Sequence, residues 1–250
     1  MGAITAIQWT DHTFNPWWGC VKVSPGCQNC YAETLAHRYG TAWGVEGERR
    51  QMADSTWAEP VKWNKAASAA GRRARVFCSS MADVFEANAQ VESARARLWS
   101  LIESTPALDW LLLTKRPGNI TGMVPAAWLQ EPRPNVWYGT SVENQKTAER
   151  RLPHLLGVPA AVRFLSCEPL LEPVSLAAWL HGVQWVITGG ESGPKARPAE
   201  LSWFRAIRTE CAAAGVSYFH KQNGGRDKHK GGEALDGRMW RALPTRAVAA

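Results

Sequence analysis

Residues 136–169 read VWYGTSVENQKTAERRLPHLLGVPAAVRFLSCEP, in which two short apolar runs flank one amphipathic stretch. The runs Val136–Thr140 and Arg163–Ser166 are rich in β-branched and aromatic residues, which predicts strands. Between them, Asn144–Leu156 places apolar side chains at helical spacing, which predicts a helix. A strand, a helix and a strand in this order predict two parallel neighbours of one sheet, joined by a right-handed crossover.

The same alternation extends in both directions along the chain. Further strands are predicted at Thr5–Trp9, Arg75–Ser79, Trp110–Thr114, Gln184–Thr188 and Ser217–Lys221. Further helices are predicted at Cys30–Tyr39, Ala89–Glu103, Thr121–Leu129, Leu176–His181 and Leu201–Ala214. We therefore expect an α/β protein with parallel strands, either a partial or complete (β/α) TIM-like barrel or an open doubly wound sheet.

The chain has 250 residues, and seven predicted strand-and-helix units leave little room for a separate second domain. We expect one α/β barrel over residues 1–222, with an insertion at 40–74, and a Gly-rich C-terminal extension of the same domain at 223–250. The longest purely apolar runs fall far short of the about 18 residues that suggest a membrane span. Because the N-terminus also lacks a signal-peptide pattern, we expect a cytoplasmic protein without membrane association.

Basic residues exceed acidic ones, 29 Lys and Arg against 22 Asp and Glu, which gives a formal net charge of +7. The basic clusters are Arg49-Arg50, Arg72-Arg73-Ala74-Arg75, Arg150-Arg151 and residues 226–230. Together with Trp43, Trp57 and Trp63 in the predicted insertion, they suit a nucleic acid, whose bases stack and whose phosphates pair with cations. The alternative is a solvated basic surface with tryptophans packed on the barrel.

Polar residues follow nearly every predicted strand. The carboxyl ends of parallel strands meet at one edge of a sheet, which is where such folds bind ligands. Each polar group alone is more typical of a turn or a helix cap than of a ligand site, but their succession favours a site for a charged ligand. By strand position, the candidate cofactor contacts are Ser80, Asp83, Lys115, Ser141, Glu143 and Glu191.

Three of the six cysteines lie in residues 19–32, GCVKVSPGCQNCYA, with the spacing C-x6-C-x2-C. Cys27 and Cys30 are close enough in sequence to bind one centre, and the intervening turn residues could bring Cys20 back to them. Three interpretations follow. In the first, the three thiolates hold a 4Fe-4S cluster whose fourth iron binds S-adenosylmethionine. In the second, they bind zinc, with His12 or His37 as the fourth ligand. In the third, Cys27 and Cys30 form a redox pair.

On these residues the chain resembles the radical S-adenosylmethionine superfamily, and more closely a phage and prophage three-cysteine family within it. The matching stretches are Asn15-Pro16-Trp17, the cysteine loop, residues 113–117 (LTKRP), 141–143 (SVE), 166–171 (SCEPLL), 189–193 (GGESG) and Lys221-Gln222. Ser80, Asp83 and Lys115 are also similar to the pattern of the spore photoproduct lyase branch. Two features of the chain differ from the superfamily. Its cysteine spacing is C-x6-C-x2-C where the superfamily usually has C-x3-C-x2-C. Its Gly189-Gly190-Glu191 stretch follows the sixth predicted strand, whereas the superfamily's Gly-Gly-Glu stretch follows the second.

The resemblance implies a [4Fe-4S] cluster on the three cysteines that reductively cleaves S-adenosylmethionine to a 5′-deoxyadenosyl radical. It suggests that Lys115 binds the methionine carboxylate and that Ser141 or Glu143 binds the ribose. Cys167 and Tyr31 are candidates for returning a hydrogen atom, each with a packed core residue as the alternative.

The resemblance also implies an external electron donor of the flavodoxin or ferredoxin type. The expected substrate is a nucleobase in DNA or a modified nucleotide, for example in the isomerisation of an amino-acid-modified thymidine of phage DNA. A phage-encoded protein would then work in the cytoplasm of a bacterial host. Two alternatives stay open: a non-catalytic nucleic-acid-binding protein with a structural zinc or iron-sulfur site, and a radical enzyme acting on a small molecule.

Overall fold

The computed structural model describes residues 5–227 and 229–244. The described strands are β1 (His12–Thr13), β2 (Trp17–Trp18), β3 (Arg50–Gln51), β4 (Ala74–Cys78), β5 (Leu108–Thr114), β6 (Val136–Ser141), β7 (Val162–Cys167), β8 (Trp185–Gly189) and β9 (Ser217–Gln222). The described α-helices are α1 (Tyr31–Arg38), α2 (Asp54–Trp57), α3 (Glu59–Ala69), α4 (Glu92–Ser104), α5 (Ile120–Met123), α6 (Ala126–Gln130), α7 (Gln145–Leu156) and α8 (Leu201–Ala214). Single 3-10 turns lie at Pro25–Cys27, Ala89–Val91, Pro117–Asn119 and Leu180–Gly182.

Seven strands form one parallel sheet in the order β1-β4-β5-β6-β7-β8-β9, which curls into a half-barrel. Strands β2 and β3 pair separately as a short antiparallel ribbon. The order of the main sheet follows the chain, because each new strand is added beside the previous one through a crossover connection. The prediction of an α/β protein with a partial barrel of parallel strands is therefore confirmed.

Alternate residues of the strands supply two different cores. One large cluster joins the helices to one face of the sheet and contains residues such as Val76, Trp110 and Leu165. On the other face a smaller, mostly aromatic cluster lies inside the curl. Its buried members are Trp9, Phe77, Leu111, Trp137, Val162, Phe164, Trp185, Ile187 and Phe219. Large rings at successive inward positions thus fill the lower part of the half-barrel.

The predicted strands from Arg75 onward agree with the structure to within two residues, and α8 has the predicted bounds. The first predicted strand, Thr5–Trp9, is wrong, since β1 takes the edge position and Trp9 packs inside the curl. The helix predicted at Leu176–His181 is also wrong, because only the 3-10 turn at Leu180–Gly182 forms there. The helix predicted at Thr121–Leu129 is divided into α5 and α6 at Pro125, which cannot continue a helix.

The predicted insertion at 40–74 contains α2 and α3, and α3 packs on β4 and β5 in the position of a crossover helix. Two of its tryptophans are packed on the protein. Trp57 is buried in the main core against Phe14, and Trp63 stacks on the ring of His12.

The N-terminal and C-terminal segments meet at the open side of the curl. The predicted domain ends at 1–4 and 245–250, and Lys228 of the basic cluster at 226–230, lie outside the described residues. Gln8 pairs with Glu233 and Arg241, and the Arg241 guanidinium lies over the Phe219 ring. None of the described helices combines the length and apolarity that a membrane span requires.

Candidate functional site

A cavity of about 600 Å³ lies at the carboxyl ends of strands β4–β9. Its size is in the range of small-ligand sites. Nine of the predicted site residues line it together: Cys20, Cys27, Cys30, Tyr31, Ser80, Asp83, Lys115, Ser141 and Glu191. The other two, Glu143 and Cys167, do not line it. The succession of polar strand ends in the sequence therefore corresponds to one continuous site.

The cysteine loop forms one wall of this cavity. Cys20, Cys27 and Cys30 are partly buried and form no disulfide. The Cys20 sulfur lies 3.7 Å from a guanidinium nitrogen of Arg116, and the Cys27 sulfur lies 3.8 Å from the Ser24 hydroxyl oxygen. Burial raises the pKa of the Cys20 thiol to about 12 and also raises that of Cys30. The cation beside Cys20 partly offsets this cost of forming a thiolate.

Within residues 5–227 and 229–244, no three His, Cys, Asp or Glu side chains come close enough together to hold a metal ion. All three thiols line the cavity, and binding one metal centre there requires them to come closer together. Their chemistry fits an iron-sulfur cluster, whose ligands are Cys thiolates. A zinc site with His12 or His37 fits less well, because neither histidine lines the cavity and the His12 ring stacks on Trp63.

Lys115 and Ser141 present polar groups to the cavity from the ends of β5 and β6. The Lys115 ammonium donates to the Ser141 hydroxyl oxygen at 2.9 Å and lies 3.6 Å from the Glu143 carboxylate. Ser80 is held by hydrogen bonds with Asn15, and its carbonyl oxygen accepts from the Tyr31 hydroxyl at 3.0 Å. These groups provide an ammonium, hydroxyls and an aromatic ring along one side of the cavity.

Asp83 lines the cavity, but neighbouring groups satisfy its carboxylate. It accepts from the Thr114 hydroxyl at 2.7 Å, the Lys115 amide at 3.0 Å and the Arg116 guanidinium at 2.8 Å. A fourth hydrogen bond comes from the Phe85 amide. Asp83 therefore holds the end of β5 and keeps Arg116 beside Cys20.

Glu143 is fully buried beneath the cysteine loop. It accepts from the Ser24 hydroxyl at 2.8 Å and from Arg151 at 2.7 Å. Burial raises the pKa of Glu143, but the charges of Lys115 and Arg151, together with hydrogen bonds from Ser24 and Thr147, hold that pKa below its ordinary value. A Cβ on Gly26 would lie 2.5 Å from the Glu143 side chain, so only glycine lets the loop approach this closely.

Glu191 anchors the opposite end of the same loop. Its carboxylate accepts from the Arg197 guanidinium and from the Asn29 amide at 3.0 Å. Arg197 in turn donates to the carbonyl oxygen of Pro25 at 3.1 Å. Burial raises the pKa of Glu191, but the hydrogen bonds from Arg197 and Asn29 and the charge of Arg197 together hold that pKa below its ordinary value. Glu143 and Glu191 thus fix the cysteine loop from two strands.

The sequence profile of DUF5131, described as a protein of unknown function, matches residues 4–244. The chain belongs to the DUF5131 family. The matched range contains the whole cavity and all three cysteines of the loop. No curated protein and no solved structure matches the chain.

In this DUF5131 protein, Tyr31 and Cys167, the two residues predicted to return a hydrogen atom, lie in different environments. Tyr31 lines the cavity and keeps 58% of its surface exposed. Cys167 is completely buried in β7, and burial raises its pKa. The structure thus places Tyr31, but not Cys167, where a ligand can reach it.

Five further charged residues contribute to the site of this family member, although none of them is among the predicted site residues. Arg116, Arg151 and Arg197 neutralise carboxylates, and Glu168 pairs with Lys221 at 2.6 Å on the cavity wall. Glu168 and Lys221 do follow or end predicted strands, which is a usable signal. Arg151 and Arg197 carry none, because each lies outside the strand ends and acts through a partner on another strand.

Proposed function

We propose that this protein is a radical S-adenosylmethionine enzyme that acts on a nucleobase in DNA or on a modified nucleotide. The observation that carries the proposal is the meeting, in one cavity, of three free cysteines from a single loop with the polar ends of parallel strands. Parallel strands are known to bind cofactors at this edge. The absence of histidine from the described lining favours a three-thiolate cluster over zinc.

Cys20, Cys27 and Cys30 would hold a [4Fe-4S] cluster. Such a cluster, reduced by a donor of the flavodoxin or ferredoxin type, would supply the electron for reductive cleavage of S-adenosylmethionine. Lys115 would bind the methionine carboxylate, because its ammonium lies at the cavity and donates to the Ser141 hydroxyl beside it.

Strand position alone suggests that Asp83, Glu143 and Glu191 contact the cofactor, but in this proposal they hold other residues of the site in place. Asp83 positions Arg116, and Glu143 positions Lys115, while Glu191 holds the cysteine loop. The protein contributes orientation and shielding, because the chemistry belongs to the cofactor. The aromatic lining of Trp9, Trp43 and Phe77 suits a planar substrate.

Anaerobic reconstitution with iron and sulfide tests the proposal. We expect the protein to bind iron and sulfide with broad visible absorption, and to form 5′-deoxyadenosine from S-adenosylmethionine when a reductant is added. Cys27→Ala and Cys30→Ala should lose both properties, because each removes one of three ligands. Cys211→Ala is the matched control, since Cys211 is a buried thiol of α8 outside the cavity lining.

Two results would decide for the alternatives. One bound zinc with no 5′-deoxyadenosine would support a non-catalytic protein with a structural metal site. Formation of 5′-deoxyadenosine with no stimulation by DNA or nucleotides, and no salt-sensitive DNA binding, would support a small-molecule substrate.

A further inference from the structure

Glu168 and Lys221 form an ion pair across the end of a strand that contributes no side chain. Glu168 follows β7 and Lys221 belongs to β9, yet the Lys221 ammonium lies 2.6 Å from Glu168 Oε1. Strand β8 runs between them and ends at Gly189. A Cβ on Gly189 would lie 3.2 Å from the Glu168 carboxyl carbon, so glycine leaves the space through which the pair reaches across.

The pair has unused hydrogen-bonding capacity. Lys221 and Gln222 both donate to Glu168 Oε1, at 2.6 and 3.2 Å. Within the described part of the chain, Glu168 Oε2 has no protein partner, and Lys221 uses one of its three ammonium protons. Both side chains are about four-fifths buried, with 20% and 19% exposed, and both line the cavity. Because both side chains line the cavity, a ligand that enters it can reach these unused hydrogen-bonding positions.

The other described acids of the lining offer no such group. Asp83 is satisfied by four donors, and Glu191 is held by Arg197 and Asn29. Glu168 Oε2 is therefore the carboxylate oxygen that a ligand can use. Next to it, Lys221 offers a donor, so the wall presents an acceptor beside a donor.

We propose that Glu168 and Lys221 recognise a nucleobase through its lactam edge, a ring N–H beside a carbonyl, as thymine, uracil and guanine present it. Glu168 Oε2 accepts from the ring N–H, and the Lys221 ammonium donates to the carbonyl oxygen. This proposal rests on the proposed function and names the groups that recognise its substrate. The binding step that it describes needs no radical chemistry.

The rest of the cavity favours a flat ring over a free amino acid, whose ammonium and carboxylate could also match the pair. Four aromatic residues line the cavity: Trp9, Tyr31, Trp43 and Phe77. Extruded bases are typically stacked on aromatic side chains and read along their hydrogen-bonding edge. The segment of residues 5–7 also lines the cavity. A duplex is too wide for a cavity of this size, so the base enters free, single-stranded or flipped.

Nucleoside binding to the full-length protein tests the proposal, with the iron-sulfur-reconstituted protein and the metal-free protein measured side by side by calorimetry. We expect both thymidine and deoxyguanosine to bind, and N3-methylthymidine to bind about ten-fold more weakly or worse, because it lacks the ring N–H. Deoxyadenosine and deoxycytidine should also bind weakly. A thymine-containing single strand should compete with thymidine better than the matching duplex.

Glu168→Gln provides a change of preference that loss of folding cannot imitate. The amide oxygen would stay with Lys221, so the amide N–H₂ would face the base. We expect thymidine to bind about ten-fold more weakly and deoxycytidine, whose N3 is an acceptor beside a carbonyl, to bind more tightly. Glu172→Gln is the matched control, because Glu172 is exposed and outside the lining.

Three outcomes would overturn the proposal: no nucleoside binding to either preparation, equal affinity for thymidine and N3-methylthymidine, or displacement of thymidine by a free α-amino acid.

Failure of this binding proposal is distinguishable from failure of the radical function. Formation of 5′-deoxyadenosine without N–H-dependent binding would remove only the role of the pair. Selective binding in a protein that forms no 5′-deoxyadenosine would leave that role and remove the radical chemistry.

Discussion

Individual carboxylates of this site have structural roles that their strand positions do not reveal. Asp83, Glu143 and Glu191 all follow strands at the ligand-binding edge, yet each is satisfied by cations and donors of the protein. A buried carboxylate needs such partners, because an unpaired charge in the interior is very costly. Sequence analysis identified the acids, but the arginines that pair with Glu143 and Glu191 come from α7 and from a loop.

Asp83→Ala should be strongly destabilising. The substitution leaves the Arg116 guanidinium without its carboxylate, and it removes the acceptor of the Thr114 hydroxyl and of two backbone amides. Removing one partner of a buried ion pair costs about 3–5 kcal/mol of unfolding free energy. Urea denaturation of the metal-free protein measures this loss.

The control for this prediction is Asp54→Ala. Asp54 also pairs with an arginine, Arg97, but its side chain is 88% exposed, so its loss should change the denaturation midpoint far less. Equal midpoints for Asp83→Ala and the unsubstituted protein would show that the Asp83 network adds no stability.

At the scale of elements, periodicity predicted most of the sheet because the inner strands are buried on both faces. Runs such as Trp110–Leu113 are then apolar without interruption and are easily recognised. The first strand was mispredicted because β1 at the edge has only two residues, while Thr5–Trp9 is apolar for another reason, namely that Trp9 fills the inside of the curl. A short edge strand and a non-strand segment that packs inside the curl can have the same sequence pattern.

Gly139→Ala should disturb the inner face of the half-barrel. Gly139 of β6 pairs in register with Phe164 of β7, and a Cβ there would lie 2.3–2.5 Å from the Phe164 ring. Overpacking of this kind costs about 1–3 kcal/mol of unfolding free energy. Adding Phe164→Leu to Gly139→Ala should recover part of the loss, which a double-mutant cycle by urea denaturation measures.

Gly122→Ala is the matched control for this pair. Gly122 lies in α5, and a Cβ there would meet nothing within 4 Å. Alanine is also the better helix former, so stability should stay equal or rise by up to about 1 kcal/mol. Simple additivity of Gly139→Ala and Phe164→Leu would contradict the proposed clash.

For the whole molecule, the decisive feature is that two segments far apart in the sequence, residues 7–9 and 240–242, meet at the curled sheet. Residues 240–242 hydrogen-bond along β9, while Ile7 and Trp9 lie against the inner aromatic cluster. Arg241 links the two segments through Gln8 and Glu233. Residues 5–7 and Trp9 also line the cavity, so this N-terminal segment contributes to the site through contacts too distant in sequence for periodicity to reveal.

Arg241→Ala should therefore loosen the N-terminal segment without unfolding the sheet. The substitution removes the link to Gln8 and Glu233 and the contact of the guanidinium with the Phe219 ring. Amides of residues 7–11 should exchange with deuterium faster, because segments with few remaining contacts open locally at low free-energy cost. Amides of the central strands β5 and β6 should keep their exchange rates.

The control is Arg205→Ala. Arg205 lies on α8, and this substitution breaks its exposed pair with Asp236, so the exchange rates of residues 7–11 should not change. If Arg241→Ala also leaves them unchanged, the position of the N-terminal segment must depend on Trp9 and the aromatic cluster alone.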